Sequence, residues 1–239
     1  MGDLNRFITA QEGSYSLALE EIKSGKKMSH WIWYIFPQMK GLGHSYNSNY
    51  YGIEDAQEAQ AYLNHPVLSG RLREITEALL CLPSSLSASD ILGSIDARKV
   101  KSCMTLFYYV SDDPLFAEAL NRFYHGEVDH FTWYALNDKL NHIRQLYKER
   151  CDDCNEIIES LGYYEATRNL SPQDIPLCFT FNGYWLLLEG FGFDKKGYLV
   201  AHISDLRSGP PDYGEMDALA VPDYILERII SILDNELQK

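Results

Sequence analysis

Residues 26–52 read KKMSHWIWYIFPQMKGLGHSYNSNYYG, and no other stretch gathers as many side chains able to do chemistry. His30 follows two lysines and has a reference pKa of about 6.5, which makes it the candidate general acid or base; the plainer reading is a structural histidine. Trp31 and Trp33 can stack on a planar ligand group or can fill a core, the commoner use of large aromatics. Gly41 and Gly43 permit backbone turns closed to other residues, and successive N–H groups in such a turn can cradle an anion. Ser29, Gln38, Lys40 and Ser45 supply polar contacts around them. A GxG without the rest of a dinucleotide fingerprint carries little by itself, so a purely structural loop stays open beside the anion cradle.

A second polar set lies at Asp96, Lys99, Ser102 and Thr105. Every-third spacing drifts slowly around a helix and keeps the four on one stripe. Asp96 paired with Lys99 on the surface is the plain account. The functional account turns the stripe toward the 38–48 loop, so that the two segments close one pocket. Trp31 or Trp33 then forms a wall, Lys40 or Lys99 holds negative charge, and Asp96 orients His30 or a water. The candidate catalytic residues are therefore His30 and Asp96. The candidate ligand-binding residues are Ser29, Trp31, Trp33, Gln38, Lys40, Gly41, Gly43, Ser45, Lys99, Ser102 and Thr105. No metal or cofactor is expected. Cys151-Asp-Asp-Cys154 is a single CxxC without a thioredoxin-like setting, and Cys178 and His142 lack the spacing of a second ligand pair. No GxSxG, HExxH or P-loop motif is present.

The chain has 239 residues, enough for one large domain or two ordinary ones. Hydrophobic residues at 46% support a packed core rather than a disordered chain. A formal net charge of −13 repels phosphate backbones, which excludes a general nucleic-acid binder but leaves room for a local basic pocket. Five cysteines are an odd number in a long chain, a poor fit to a secreted disulfide scaffold. No 18-residue apolar run and no signal-like start occur, and Arg6 stands where a myristoylation signal wants Ser or Thr. A reducing cytoplasm is the expected setting.

Helical spacing predicts a helix over 3–24, with Asp3 as cap and Gly13 as a point of interruption. Residues 28–36 form a short helix or an extended piece ended by Pro37, and 38–52 read as a loop. Asp55 with Glu58 opens a short helix; Pro66 opens the next, Ser87 with Asp90 another, and Gly93 breaks that one. Residues 96–110 read as a helix with a buried second half, and Pro114 starts one that Gly126 ends. One or two more helices occupy 128–150, and 151–168 stay helical. From Pro176 the pattern turns strand-like: CFTFNGYWLLLEGF, then DKKG, then YLVAHISDL. It reads as a hairpin across DKKG, with pairing of 183–190 onto 178–182 as the alternative. RSGPPDYGEMD reads as a loop, and Pro222 opens a terminal helix. The fold expected is mainly α: a multihelical domain over 1–145, then a smaller α+β domain over 146–239 with a short antiparallel sheet.

The N-terminal half resembles a bacterial and fungal family known as domain of unknown function 1810, sometimes labelled calpastatin. The matching residues are Arg6-Phe7, Ala10-Gln11, Tyr15, SHWIWYIFPQMKGLGHS at 29–45, Tyr51, AYLNHPVLSGRL at 61–72, ILGSIDARKVKSCMTLF at 91–107 and DDPLFAEALNRF at 112–123. The resemblance covers residues 3–137 and implies a compact multihelical domain; it implies no activity. Two function classes follow. The first is a pocket for a small anionic or nucleotide-like ligand, and a general likeness to helical ADP-ribose-processing domains makes N-glycosidic hydrolysis its expected chemistry. The second is a protein-interaction module, an inhibitor or immunity-type regulator with a protein partner. Acidic charge and the unmatched C-terminal part fit that class.

Overall fold

The computed structural model describes residues 4–111, 113–160, 171–175, 177–206 and 212–238. Four expectations therefore fall outside the described residues: Asp3 as first cap, the helical reading of 161–168, the opening of the strand region at Pro176, and the first part of the RSGPPDYGEMD loop. The chain is mainly helical with a small antiparallel sheet, and it divides into two compact units, 1–136 and 137–239.

In the first unit the helix expected over 3–24 is two helices, α1 (Asn5–Glu12) and α2 (Tyr15–Lys23). The break falls at Gly13, and Ser14 donates from its hydroxyl to Ala10 O at 2.6 Å rather than continuing the helix. Next come α3 (Ile32–Ile35), α4 (Tyr46–Tyr50), α5 (Ala56–Asn64) and α6 (Pro66–Leu80). They are followed by α7 (Ala88–Leu92), α8 (Ser94–Ser111), α9 (Pro114–Tyr124) and α10 (His130–Leu136).

Local chemistry sets most of these ends. Ser87 and Asp90 form a reciprocal capping box at α7. Gly93 (φ 79°) turns the chain from α7 into α8 in a conformation that few side chains adopt. The 38–52 stretch is not all loop: Ser45 accepts from Ser48 N at 3.1 Å and caps α4. α8 is the central helix. It packs against α3, α5, α7, α9 and α10, and it buries Ala97, Val100, Cys103, Met104, Leu106 and Phe107. A helix packed on several neighbours buries more than one stripe, so the expected polar stripe lies largely inside it.

The second unit begins with α11 (Asp138–Ser160), broken at Arg150 (φ −144°, ψ 46°). Four strands follow: β1 (Cys178–Phe181), β2 (Tyr184–Phe193), β3 (Leu199–Asp205) and β4 (Asp212–Asp217). They form one antiparallel sheet in the order β1-β2-β3-β4. The two hairpin readings are both realised. Asn182-Gly183 (φ 49° and 80°) makes the left-handed two-residue turn that joins β1 to β2. The Asp194–Gly197 turn joins β2 to β3, with the Asp194 carboxylate accepting from Lys196 N and Tyr198 N. β4 corrects the loop reading of DYGEMD: it pairs with β3 from Val200↔Asp217 to Asp205↔Asp212. The last helix, α12 (Asp223–Leu237), buries Ile225, Leu226, Ile229 and Leu233 and packs with α11. No described helix is long and apolar enough to cross a membrane.

Candidate functional site

Ser29, Trp31, Trp33, Asp96 and Lys99 do come together, in a cluster whose charged groups pair with one another, while His30 stays outside it. Glu21 of α2 organises it. The carboxylate accepts from Met28 N (2.7 Å), Ser29 N (2.9 Å), the Ser29 hydroxyl and Trp31 Nε1 (2.8 Å). Burial alone would raise the Glu21 pKa; the Ser29 hydroxyl, the two backbone N–H groups and Trp31 outweigh it and bring it down to about 2. Asp96 accepts from Lys27 (2.8 Å) and Lys99 (2.9 Å). Burial opposes this ionisation too, and the two ammonium groups still hold its carboxyl below the usual range. The Lys27 and Lys99 ammonium groups lie over the Trp31 and Trp33 rings at 5.1 and 4.6 Å. Trp31 is 1% exposed, a core residue rather than a pocket wall. Trp33 Nε1 is buried without a hydrogen-bond partner among the described residues. His30 is exposed, and no hydrogen bond or ion pair joins it to Asp96 among the described residues.

The rest of the expected set is divided between the 38–48 loop and the buried face of α8. Gln38 is buried, and its carbonyl accepts from Ile53 N at 2.9 Å. A Cβ on Gly41 (φ 93°) would stand 3.1 Å from Phe131, and one on Gly43 would stand 2.6 Å from Ser48 Oγ. Close packing therefore accounts for both glycines. Ser102 and Thr105 are fully buried: Ser102 bonds Thr132 at 2.7 Å, and Thr105 accepts from Asp129 N at 2.8 Å. Lys40 alone of the expected residues lines the polar cleft described next.

That cleft has a volume of about 620 Å³ and is lined by Arg6, Lys40, Asn49, Tyr50, Gly52, Glu54, Asp55, Gln57 and Glu58. A short parallel bridge builds its floor: Lys40 N donates to Ile53 O and Ile53 N to Gln38 O, each at 2.9 Å. Gly52 sits against the Lys40 and Ser48 backbones, where a Cβ would come within 2.9 and 2.8 Å. Only glycine fits there. Asp55 caps α5 by accepting from Glu58 N at 2.8 Å, while the Glu58 carboxylate accepts from Glu54 N at 2.9 Å. Arg6 of α1 ties this corner down through Glu58 Oε1 (2.8 Å) and Gly52 O (3.1 Å). Lys40 pairs with Glu54 at the open side. Tyr50 stacks on Tyr46 with centroids 5.7 Å apart and planes 8° from parallel.

A family model described as protein of unknown function (DUF1810) matches residues 1–136. The chain belongs to this family. Among solved structures, the conserved hypothetical protein Rv1873 from Mycobacterium tuberculosis is 40% identical, with a TM-score of 0.55 over 56% of this chain and 96% of that one. No curated protein matches.

The DUF1810 region contains every residue of the cleft and of the Glu21 cluster. Eight cleft residues were absent from the expected set. Five of them, Gly52, Glu54, Asp55, Gln57 and Glu58, lie in the charge-dense GIEDAQE run directly after Tyr50-Tyr51, which reads locally as a helix cap. Arg6 carried no signal, because its partner Glu58 lies 52 positions away. Among the described residues, no group of three or more His, Cys, Asp or Glu side chains is arranged to hold a metal.

Proposed function

We propose that the DUF1810 domain binds a small nucleotide-like ligand in the cleft between Lys40, Tyr50 and Glu54. The observation that carries this reading is the stacked Tyr46–Tyr50 pair, 78% and 47% exposed, standing beside a polar cleft. Large rings so exposed are available as a stacking platform for a base. The volume lies within the roughly 300–1,000 Å³ of ordinary ligand sites. Three carboxylates and two cations line it, so the site suits a ligand that donates hydroxyls and carries limited negative charge. Glu54 and Asp55 accept from a ribose. Lys40 has three donor hydrogens, of which Glu54 occupies one, and the others are directed to a phosphate.

N-glycosidic hydrolysis remains the reaction class proposed for the site. In it Glu54, rather than His30, which does not line the cleft, takes a proton from water; the water oxygen bonds to the anomeric carbon, the C–N bond breaks, and the base leaves with a proton from solvent. Calorimetric titration of the full chain with adenosine, AMP and ADP-ribose tests the binding. Tyr50→Ala is expected to weaken all three, and Lys40→Ala to weaken the two phosphate-bearing ligands roughly tenfold or more with little effect on adenosine. Absence of binding at millimolar concentration would end the reading. Chromatographic detection of released base separates hydrolysis from binding alone.

The interaction-module reading draws on Met28 and Ile95, 72% and 64% exposed on the two segments that the Lys27–Asp96 ion pair joins. It requires that nucleotides leave the thermal midpoint unmoved.

A further inference from the structure

We propose that Cys151 and Cys154 are a redox pair that closes into a reversible intramolecular disulfide at the start of a helical segment. Two features carry this. The backbone of α11 leaves helical geometry at Arg150 (φ −144°, ψ 46°), so Cys151 and Cys154 stand in the first turn of a new segment. Inside an unbroken helix an i,i+3 pair holds its Cβ atoms roughly 5–6 Å apart, whereas a disulfide needs about 3.5–4.5 Å. The break leaves no unbroken helical turn before Cys151, so closure requires a backbone adjustment only within the Cys151–Cys154 turn. The two sulfurs are also unequal. Cys151 is partly exposed and receives Asn155 Nδ2 at 3.7 Å; Cys154 is fully buried. One thiol is thus placed to meet an oxidant and the other to resolve the product.

The chemistry needs a peroxide as co-reactant. The Cys151 thiolate attacks one peroxide oxygen, the O–O bond breaks, and hydroxide leaves to become water, giving a sulfenic acid. Cys154 sulfur then attacks the Cys151 sulfur, its proton and the departing hydroxide form a second water, and the S–S bond closes. Two thiols lose two electrons and the peroxide gains them. Burial and then Asp152 push the Cys151 thiol up, and burial and then Cys151 push the Cys154 thiol up to about 11. The pair is therefore slow, unlike a dedicated oxidoreductase thiol. Its reduced form also gains no thiolate stabilisation, so the closed disulfide is not a strong oxidant and persists until a dithiol reduces it.

The test uses the folded full chain, treated with hydrogen peroxide, quenched, alkylated and digested with trypsin. Cleavage after Arg150 and Arg168 releases both cysteines on one peptide, CDDCNEIIESLGYYEATR. The expected product is that peptide lighter by two hydrogens and unalkylated, returning to the doubly alkylated form after dithiothreitol. In Cys151→Ser, a change at the more exposed sulfur, Cys154 should stay alkylatable after the same treatment. Full alkylation of both thiols in the treated wild type, irreversible sulfinic acid at Cys151, or pairing of Cys154 with another cysteine would each overturn the proposal.

Discussion

Glu21→Ala is expected to destabilise the helical unit by about 3–5 kcal/mol, since it orphans several donors whose loss costs about 1–3 kcal/mol each. The carboxylate is 8% exposed and collects four donors from Met28, Ser29 and Trp31. These bonds fix the entry into α3. A thermal midpoint lower by on the order of 10 °C should accompany the change. The same residue sets a pH dependence. Its pKa is depressed from 4.5 to about 2 in the folded protein, so its contribution is complete above pH 4.5 and declines as pH falls toward 2. Denaturant melts between these values should show wild-type stability falling with acid more steeply than that of Glu21→Gln. Equal slopes would mean that Glu21 does not hold the 28–31 segment.

Trp31→Ala by itself should cost about 3–5 kcal/mol, the range for deleting a fully buried large aromatic. Trp31 is buried against Phe36, with ring centroids 6.4 Å apart, and its indole N–H is committed to Glu21. Because the two residues share one hydrogen bond, the double variant Glu21→Ala with Trp31→Ala should lose less than the sum of the single losses. Trp33→Ala should cost less, because that ring is only partly buried and lies under Lys99. Chemical denaturation of the four variants measures all of this. A larger loss for Trp33 than for Trp31 would reverse the assignment of which ring belongs to the core.

Where signals are local, the sequence announces the structure. Ser87 with Asp90, Pro66 and Pro114 mark helix starts because a cap and a proline ring act within one turn. Asn182-Gly183 marks a hairpin for the same reason. The 28–36 stretch resists such reading because its shape is imposed by Glu21, several residues upstream on another helix. Ser102 and Thr105 carry the periodicity of a surface stripe, yet α8 has neighbours on many sides, so hydroxyls that pair internally are carried into the core. The dense aromatics at 31–36 advertise a pocket by composition, but packing claims most of them. The cleft itself joins α1, the Met39–Ile53 bridge and the start of α5, and no local pattern records that junction.

The central claim is that the cleft at Lys40, Tyr50 and Glu54 receives a nucleotide-like ligand. Amide chemical-shift mapping of the isotope-labelled protein during titration with AMP tests it most directly. Saturable shifts are expected at Lys40, Asn49, Tyr50, Gly52 and Glu54, with a midpoint raised roughly tenfold in Lys40→Ala. Shifts confined to Met28–Trp33 and Asp96–Lys99, or none at millimolar AMP, would contradict it.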